Sequence, residues 1–291
     1  MKRIAILGLG LMGGSLGLSL KAHGLPWHVA GFTRNAARGR RALKRGAVDS
    51  LHRTAAEAVQ DADLVVLCGP VLALPQQARD CRPGLKPGAV VTDVGSTKAV
   101  ADQAVRASLR GSGAWFVGSH PVCGSEQQGI ESARADLYDG ALVIVTTTVD
   151  APRKAVQLVR GLWQQAGARV VACGAGEHDR IMARTSHLPH MVASLLAVTV
   201  GRSGGAAKLG LYCGGGFADT SRVAEGSPEV WHDIVQTNCA NLAGELRAYK
   251  KQTERLIKLL DDGDFEGVQR FLEQGQAARR HLVKGKPEKD V

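Results

Sequence analysis

In the first 173 residues, short unbroken apolar runs alternate with stretches of helix-like periodicity. The runs at 3–7, 28–32, 64–68, 89–93, 115–118, 142–147 and 168–173 are short and do not alternate apolar with polar. Strands buried on both faces read this way. Helical segments fall between several of them, at 12–23, 35–46, 73–82 and 152–166. Strand–helix–strand repetition predicts a parallel, doubly wound α/β sheet. From 178 to 282 no run reads as a strand. Residues 191–200 (MVASLLAVTV) carry no charge on any face, so a helix there belongs in a core or at a subunit interface. The segment 240–260 is amphipathic, with Leu242, Leu246, Tyr249, Leu256 and Leu260 near helical spacing. The expected organisation is an α/β domain over 1–174, an all-helical domain over 175–283 and a polar tail over 284–291, joined near Gly174-Ala175-Gly176.

Composition narrows the class. With 44% apolar and 22% charged residues the chain is globular, neither disordered nor fibrous. Aromatics are only 4%, which argues against a stacking platform for nucleic acid. The net charge of +10 favours an anionic partner. Six scattered cysteines form no CxxC and no metal spacing, pointing to a reducing compartment rather than a disulfide framework. The apolar start is broken by glycines at 8, 10, 13 and 14, and no stretch of 18 uninterrupted apolar residues exists. The expectation is therefore a cytoplasmic protein without signal peptide, membrane span, bound metal or nucleic-acid partner.

Gly8-Leu9-Gly10-Leu11-Met12-Gly13 is a G-x-G-x-x-G that follows a predicted strand and opens a predicted helix. In that context it reads as a dinucleotide site. Gly8 permits the tight turn, Gly10 the approach of a pyrophosphate, and Gly13 close packing of helix on strand. The free N–H groups of the helix start favour the phosphates. At the end of the second strand, where a site for NAD usually carries Asp or Glu, stands Gly31-Phe32-Thr33-Arg34-Asn35. Thr33 and Arg34 suit a 2′-phosphate, so NADP is favoured, with NAD the alternative. Arg40 and Arg41 fit a solvated basic face better than a ligand site.

Three further segments concentrate chemistry. Asp93-Val94-Gly95-Ser96-Thr97-Lys98 follows the fourth strand, and Ser119-His120-Pro121-Val122-Cys123-Gly124-Ser125-Glu126 follows the fifth. Ligands of such sheets bind beyond the carboxyl ends of strands, which makes His120 a candidate general base. Ser186-His187-Leu188-Pro189-His190 lacks a third ligand at metal spacing, so its histidines suit hydrogen bonding to a substrate or cofactor edge. Gly216-Phe217-Ala218-Asp219-Thr220-Ser221-Arg222 places an Arg suited to clamp a carboxylate. A surface ion pair between Asp219 and Arg222 is the plainer reading.

In this order, together with Ser15-Leu16 and Ser227-Pro228-Glu229-Val230-Trp231-His232-Asp233-Ile234, these motifs resemble the prephenate/arogenate dehydrogenase family of tyrosine biosynthesis, from residue 4 to about 238. Departures are small: Val122-Cys123 stands for the usual Met-Ala, and Ser221 for a usual Thr. The resemblance implies oxidation of a cyclohexadienol with loss of carbon dioxide and hydride transfer to a nicotinamide. It implies that His120 accepts the hydrogen bond of the ring hydroxyl and that Ser96 bridges His120 and the nicotinamide. Arg222 then binds a carboxylate, Glu126 and one of His187 or His190 gate the substrate, and Asp219 orients Arg222 or a nearby loop. It further implies a homodimer formed through the helical domain, with the active site in the interdomain cleft. Neither a C-terminal regulatory domain nor a preceding chorismate mutase segment is expected. Two alternatives fit the residues less well. Dehydrogenases of the β-hydroxyacid or imine reductase type place a catalytic Lys on the interdomain helix, whereas no Lys occurs between 174 and 207 here. A non-catalytic NADP sensor would not need His120, Ser96 and Arg222 intact.

Overall fold

The structure, a computed structural model, describes residues 2–123, 127–146, 150–202 and 209–284. Strands β1 (Lys2–Leu7), β2 (Trp27–Phe32), β3 (Ser50–Leu51), β4 (Leu64–Leu67), β5 (Val90–Asp93) and β6 (Trp115–Phe116) form a parallel sheet in the order β3-β2-β1-β4-β5-β6. Helices α1 (Leu11–Ala22), α2 (Ala36–Lys44), α3 (Ala55–Ala58), α4 (Leu74–Cys81) and α5 (Ala99–Leu109) connect them. The non-alternating runs have a simple cause. Ile4, Ile6, Leu64 and Val66 feed one core, while Ala5, Leu7, Val65 and Leu67 feed another. Successive side chains point to opposite faces, and both faces are covered.

One expectation is corrected. His120 does not sit in a loop beyond the fifth strand. The parallel strand ends at Phe116, and the chain restarts as β7 (Ser119–Val122), which opens a second sheet ordered β7-β8-β9. β7 runs antiparallel to β8 (Leu142–Thr146), placing His120 opposite Ile144, and β8 runs parallel to β9 (Arg169–Cys173). Pro121 lacks an N–H and fits because β7 is an edge strand. Helix α6 (Arg153–Gln165) lies between β8 and β9 in sequence.

The junction of the two sheets is polar and buried. Ser119 donates to the Asp93 carbonyl at 2.6 Å and receives Trp163 Nε1 at 3.0 Å. Its backbone N–H donates to Asp93 Oδ1 at 3.0 Å. Lys98 Nζ pairs with Asp93 and donates to the Ser119 carbonyl at 2.9 Å. A buried ammonium needs such a set of acceptors, and this set pins the strand that carries His120.

The chain forms two compact units, meeting at residues 239 and 240. The helices after β9 belong to the first: α7 (Ala175–Met182), a π-helical turn (Ala183–His187), α8 (Leu188–Gly201), α9 (Gly215–Ser221), a 3₁₀ turn (Arg222–Glu225) and α10 (Pro228–Thr237). They are tied to the α/β part by Thr97 with Thr237 at 2.8 Å and by Lys98 N to Asp179 Oδ1 at 2.8 Å. The charge-free stretch in α8 is only partly core within this chain: Ala193 is buried, but Leu195 is 52% and Val198 71% exposed. The second unit is a helical hairpin, α11 (Cys239–Asp261) and α12 (Phe265–Lys284), reversed at Gly263 with φ +67° and capped by Asp264. Among the described residues no helix is long and apolar enough to cross a membrane.

Candidate active site

The glycine turn leaves β1 and enters α1. Gly8 has φ +109°, and a Cβ there would meet the Cys68 carbonyl oxygen at 2.6 Å. A Cβ on Gly13 would lie 2.0 Å from the Gly8 carbonyl oxygen, whereas one on Gly10 would meet nothing within 4 Å. The turn is thus packed tightly on the protein side and open at Gly10. No side chain caps α1 and no acid lies in its first turn, so its N–H groups and positive end are left for an anion. That cradle fits the pyrophosphate of a dinucleotide.

Two neighbouring cavities share Gly10. The first, about 350 Å³, is lined by Gly8, Leu9, Thr33, Arg34, Arg38 and Gln77 among others. Asn35 also borders it, but its side chain caps α2 by accepting from Arg38 N at 3.0 Å. Of the remaining basic run, Arg41 pairs with Glu131, and Arg45 donates to the carbonyls of Ile130, Glu131 and Ala133 at 2.7–2.8 Å.

The second cavity, about 370 Å³, brings Gly10, Leu11, Met12, Ser96, His120 and Trp231 together. Helix α10 closes it and is held by Leu72 N donating to Asp233 Oδ2 at 3.4 Å. Cys123 also lines it, and burial pushes its thiol up to about 12, so it is a neutral wall rather than a nucleophile. His120 is 8% exposed. Burial, then the neighbouring His178, Lys98 and His187, hold its pKa well below the ordinary imidazole range. It is therefore neutral at pH 7, as a base must be.

Other expected residues fall differently. His187 and His190 are buried behind the cavity wall rather than in it. His190 stacks on Trp231 with centroids 3.5 Å apart, and His187 meets the same ring edge-on at 5.9 Å. Asn238 and the His187 ring nitrogen Nδ1 are 3.2 Å apart. Burial pushes the His187 pKa down to about 4, partly countered by Asp179. Asp219 and Arg222 are exposed and do not line the cavity. Glu126, with Gly124 and Ser125, lies outside the described residues.

Sequence reasoning passed over His178 and Asp179. His120 Nδ1 lies 2.8 Å from His178 Nε2, and His178 Nδ1 lies 2.8 Å from Asp179 Oδ1. Asp179 also accepts from the backbone N–H of Lys98 and Ala99, each at 2.8 Å, and so caps α5. Burial alone would raise its pKa, but the hydrogen bonds from His178, Ala99 and Lys98 outweigh burial and hold it below the carboxylate range. In Glu177-His178-Asp179-Arg180 nothing but the run of polar residues hinted at this. Among the described residues, no group of three or more His, Cys, Asp or Glu could hold a metal ion.

Comparison with known proteins decides the family. The profile described as "Prephenate dehydrogenase, nucleotide-binding domain" matches residues 16–172, and "Prephenate dehydrogenase, dimerization domain" matches residues 174–274. The chain belongs to the prephenate dehydrogenase family. The cyclohexadienyl dehydrogenase of Zymomonas mobilis is 32% identical over 292 residues, covering 97% of this chain and 96% of the relative. Among solved structures, prephenate dehydrogenase of Aquifex aeolicus, in complex with hydroxyphenyl propionate and NAD+, is 30% identical with a TM-score of 0.90. That match covers 97% of this chain and 98% of the other. The arogenate dehydrogenase of Synechocystis is 29% identical with a TM-score of 0.82, covering 96% and 99%. This family member is accordingly a nicotinamide-dependent oxidoreductase.

Proposed function

We propose that this protein oxidatively decarboxylates prephenate, arogenate or both, with NADP as the favoured cofactor. One observation carries the reading: Ser96 and a neutral, buried His120 line the same cavity as Gly10 of the open glycine turn. The nicotinamide, when bound, supplies the acceptor for the hydrogen that leaves the ring carbon with its electron pair. The protein supplies the rest. His120 accepts the proton of the ring hydroxyl as that oxygen becomes a carbonyl. The ring carboxylate departs as carbon dioxide, its electron pair completes the aromatic ring, and the oxygen recovers a proton as a phenol from the His120 imidazolium. Ser96, which lines the same cavity as His120, holds the hydroxyl and the cofactor edge in line. Trp231, backed by His190 and His187, forms an apolar wall that suits the six-membered ring.

Thr33, Arg34 and Arg38 line the first cavity and support NADP, because a 2′-phosphate there would meet two guanidinium groups and a hydroxyl. A carboxylate, Asp80, borders the same cavity and accepts from Gln76 at 2.6 Å. The working domain division is a dinucleotide domain over 1–174, a helical substrate and dimerisation domain over 175–283, and a polar tail. A homodimer agrees with the apolar residues that α8 leaves exposed in a single chain. The roles that the family resemblance implies for Arg222 as carboxylate binder, Asp219 as the residue that orients it or a nearby loop, and Glu126 as gate stay part of the proposal, while His187 and His190 act on the cavity through Trp231 rather than by lining it. The test is a four-way assay of prephenate and arogenate, each with NADP and NAD, followed by absorbance of the reduced nicotinamide. Turnover with NADP at a lower KM than with NAD supports the full reading. No turnover in any pair refutes it.

A further inference from the structure

We infer that Asp179, acting through His178, selects the tautomer of His120 that presents an unprotonated Nε2 to the cleft. His178 and Asp179 are positioning residues, and the inference rests on His120 being the base of the proposed reaction.

The direction of each hydrogen bond sets the proton order. The ionised Asp179 only accepts. It takes backbone N–H groups from Lys98 and Ala99, so its carboxylate is fixed at the start of α5. The His178 Nδ1 beside it, 2.8 Å away, must therefore be the protonated nitrogen. In a singly protonated imidazole the other nitrogen, Nε2, is then an acceptor. It faces His120 Nδ1 at 2.8 Å, which must donate. His120, which lines the cavity, is left with its only free lone pair on Nε2, the nitrogen not bound to His178. All three side chains are buried, so water does not compete to reverse the order. The same chain stabilises the imidazolium formed when His120 takes the hydroxyl proton. Among the described residues that charge is backed through His178 by the Asp179 carboxylate, while burial, the His178 ring itself, Lys98 and His187 oppose it.

The order makes an unusual set of variants informative. In Asp179→Asn either amide orientation sets its NH2 against a backbone N–H, of Lys98 or of Ala99, so the carboxylate's hold on the His178 proton is lost; with the NH2 toward His178 that proton moves to Nε2 and the His120 proton to its own Nε2. The base then points an N–H at the substrate. In a Ser-His-Asp triad the corresponding change leaves geometry intact and lowers kcat about 10⁴-fold. His178→Gln keeps the order, since its carbonyl accepts from His120 and its NH2 donates to Asp179. His178→Leu fills similar space with no acceptor.

Steady-state kinetics over pH 5–9 with the preferred substrate and cofactor read the outcome. We expect kcat of Asp179→Asn and His178→Leu to fall at least about 100-fold with both KM values within about threefold. His178→Gln should stay within about tenfold of the parent. The acid limb of the residual Asp179→Asn activity should move to lower pH, because the anion that favours the imidazolium is gone. A packing role alone would leave that limb in place and penalise Gln and Leu alike. Nitrogen-15 NMR of the resting protein reads the tautomer without any substrate, and a His120 proton on Nε2 in the parent overturns the inference. So do equal losses in the Gln and Leu variants. If the NMR order is as inferred but the parent turns over neither cyclohexadienol, the tautomer assignment stands and the proposed function fails.

Discussion

Asp102→Asn should make this protein more stable at pH 8. Asp102 is 4% exposed, and among the described residues its Oδ1 has no hydrogen-bond partner. Oδ2 accepts from Thr146 at 2.7 Å. Lys98 lies 3.7 Å away but is committed to Asp93 and the Ser119 carbonyl. Burial, helped by the nearby Asp93 and opposed by Lys98, pushes the Asp102 pKa up from 3.8 to about 6. The folded state therefore holds a proton that the unfolded chain releases sooner. The stabilisation from this group is full below the unfolded pKa and is lost as pH rises through about 6. A shift of about two units at 1.36 kcal/mol each makes the ionised carboxylate cost about 3 kcal/mol at pH 8. Asn removes the charge without removing the shape. Its NH2 can donate to Thr146 Oγ1, while that hydroxyl turns to the Gly118 carbonyl, 3.2 Å away. The assay is urea unfolding of both proteins from pH 4 to 8 at one protein concentration. The variant should gain about 1–3 kcal/mol at pH 8, and the gain should shrink to near zero by pH 4. His120 and His187 are depressed in the fold and run the other way, losing stability as pH falls, but they cancel in the difference between the two proteins. A variant less stable than the parent at pH 8, or a difference flat across the range, would refute the reasoning.

The remaining predictions concern the site. Gly226→Ala places a Cβ 2.7 Å from Trp231 Nε1, and should raise the KM for the cyclohexadienol about tenfold or more while leaving that for the cofactor unchanged in the same assay. Arg34→Ala should raise the KM for NADP about tenfold with little change for NAD; an equal effect on both cofactors would remove Arg34 from the 2′-phosphate. His120→Asn should lower kcat by about 10²–10⁴ with the fold intact by circular dichroism, and near-normal turnover would displace His120 as the base. Arg222→Ala should raise substrate KM at least about tenfold, and because Arg222 does not line the cavity of a single chain, unchanged affinity would assign the carboxylate to another group.

Much of the α/β half was legible in the chain. The short apolar runs became strands because both sheet faces are covered, and the glycine turn stands where its spacing and strand–helix context require. The lack of an acid after β2 was equally readable, and Thr33 and Arg34 border the cavity beside the glycine turn. His120 and Ser96 were found from motif and strand-end reasoning, although His120 arrived on a new antiparallel strand instead of a loop. The histidines of Ser186–His190 were expected at a ligand edge, yet they back Trp231. Lys98 passed as one polar member of a motif, and only burial against Asp93 and Ser119 makes it a pin for β7.

Local sterics and periodicity act within a few residues, so the sequence by itself determined the element types, the phosphate turn, the missing ribose acid and the family motifs. The line from His120 through His178 to Asp179 joins residues 58 apart in the chain. It exists because β7 leaves the parallel sheet and α7 packs beside it. Tertiary structure also decided which polar groups lost their water, and with that their protonation: a neutral His120, an ionised Asp179 and an Asp102 poised near 6. Burial is a property of the whole packed core, and no single stretch of chain encodes it.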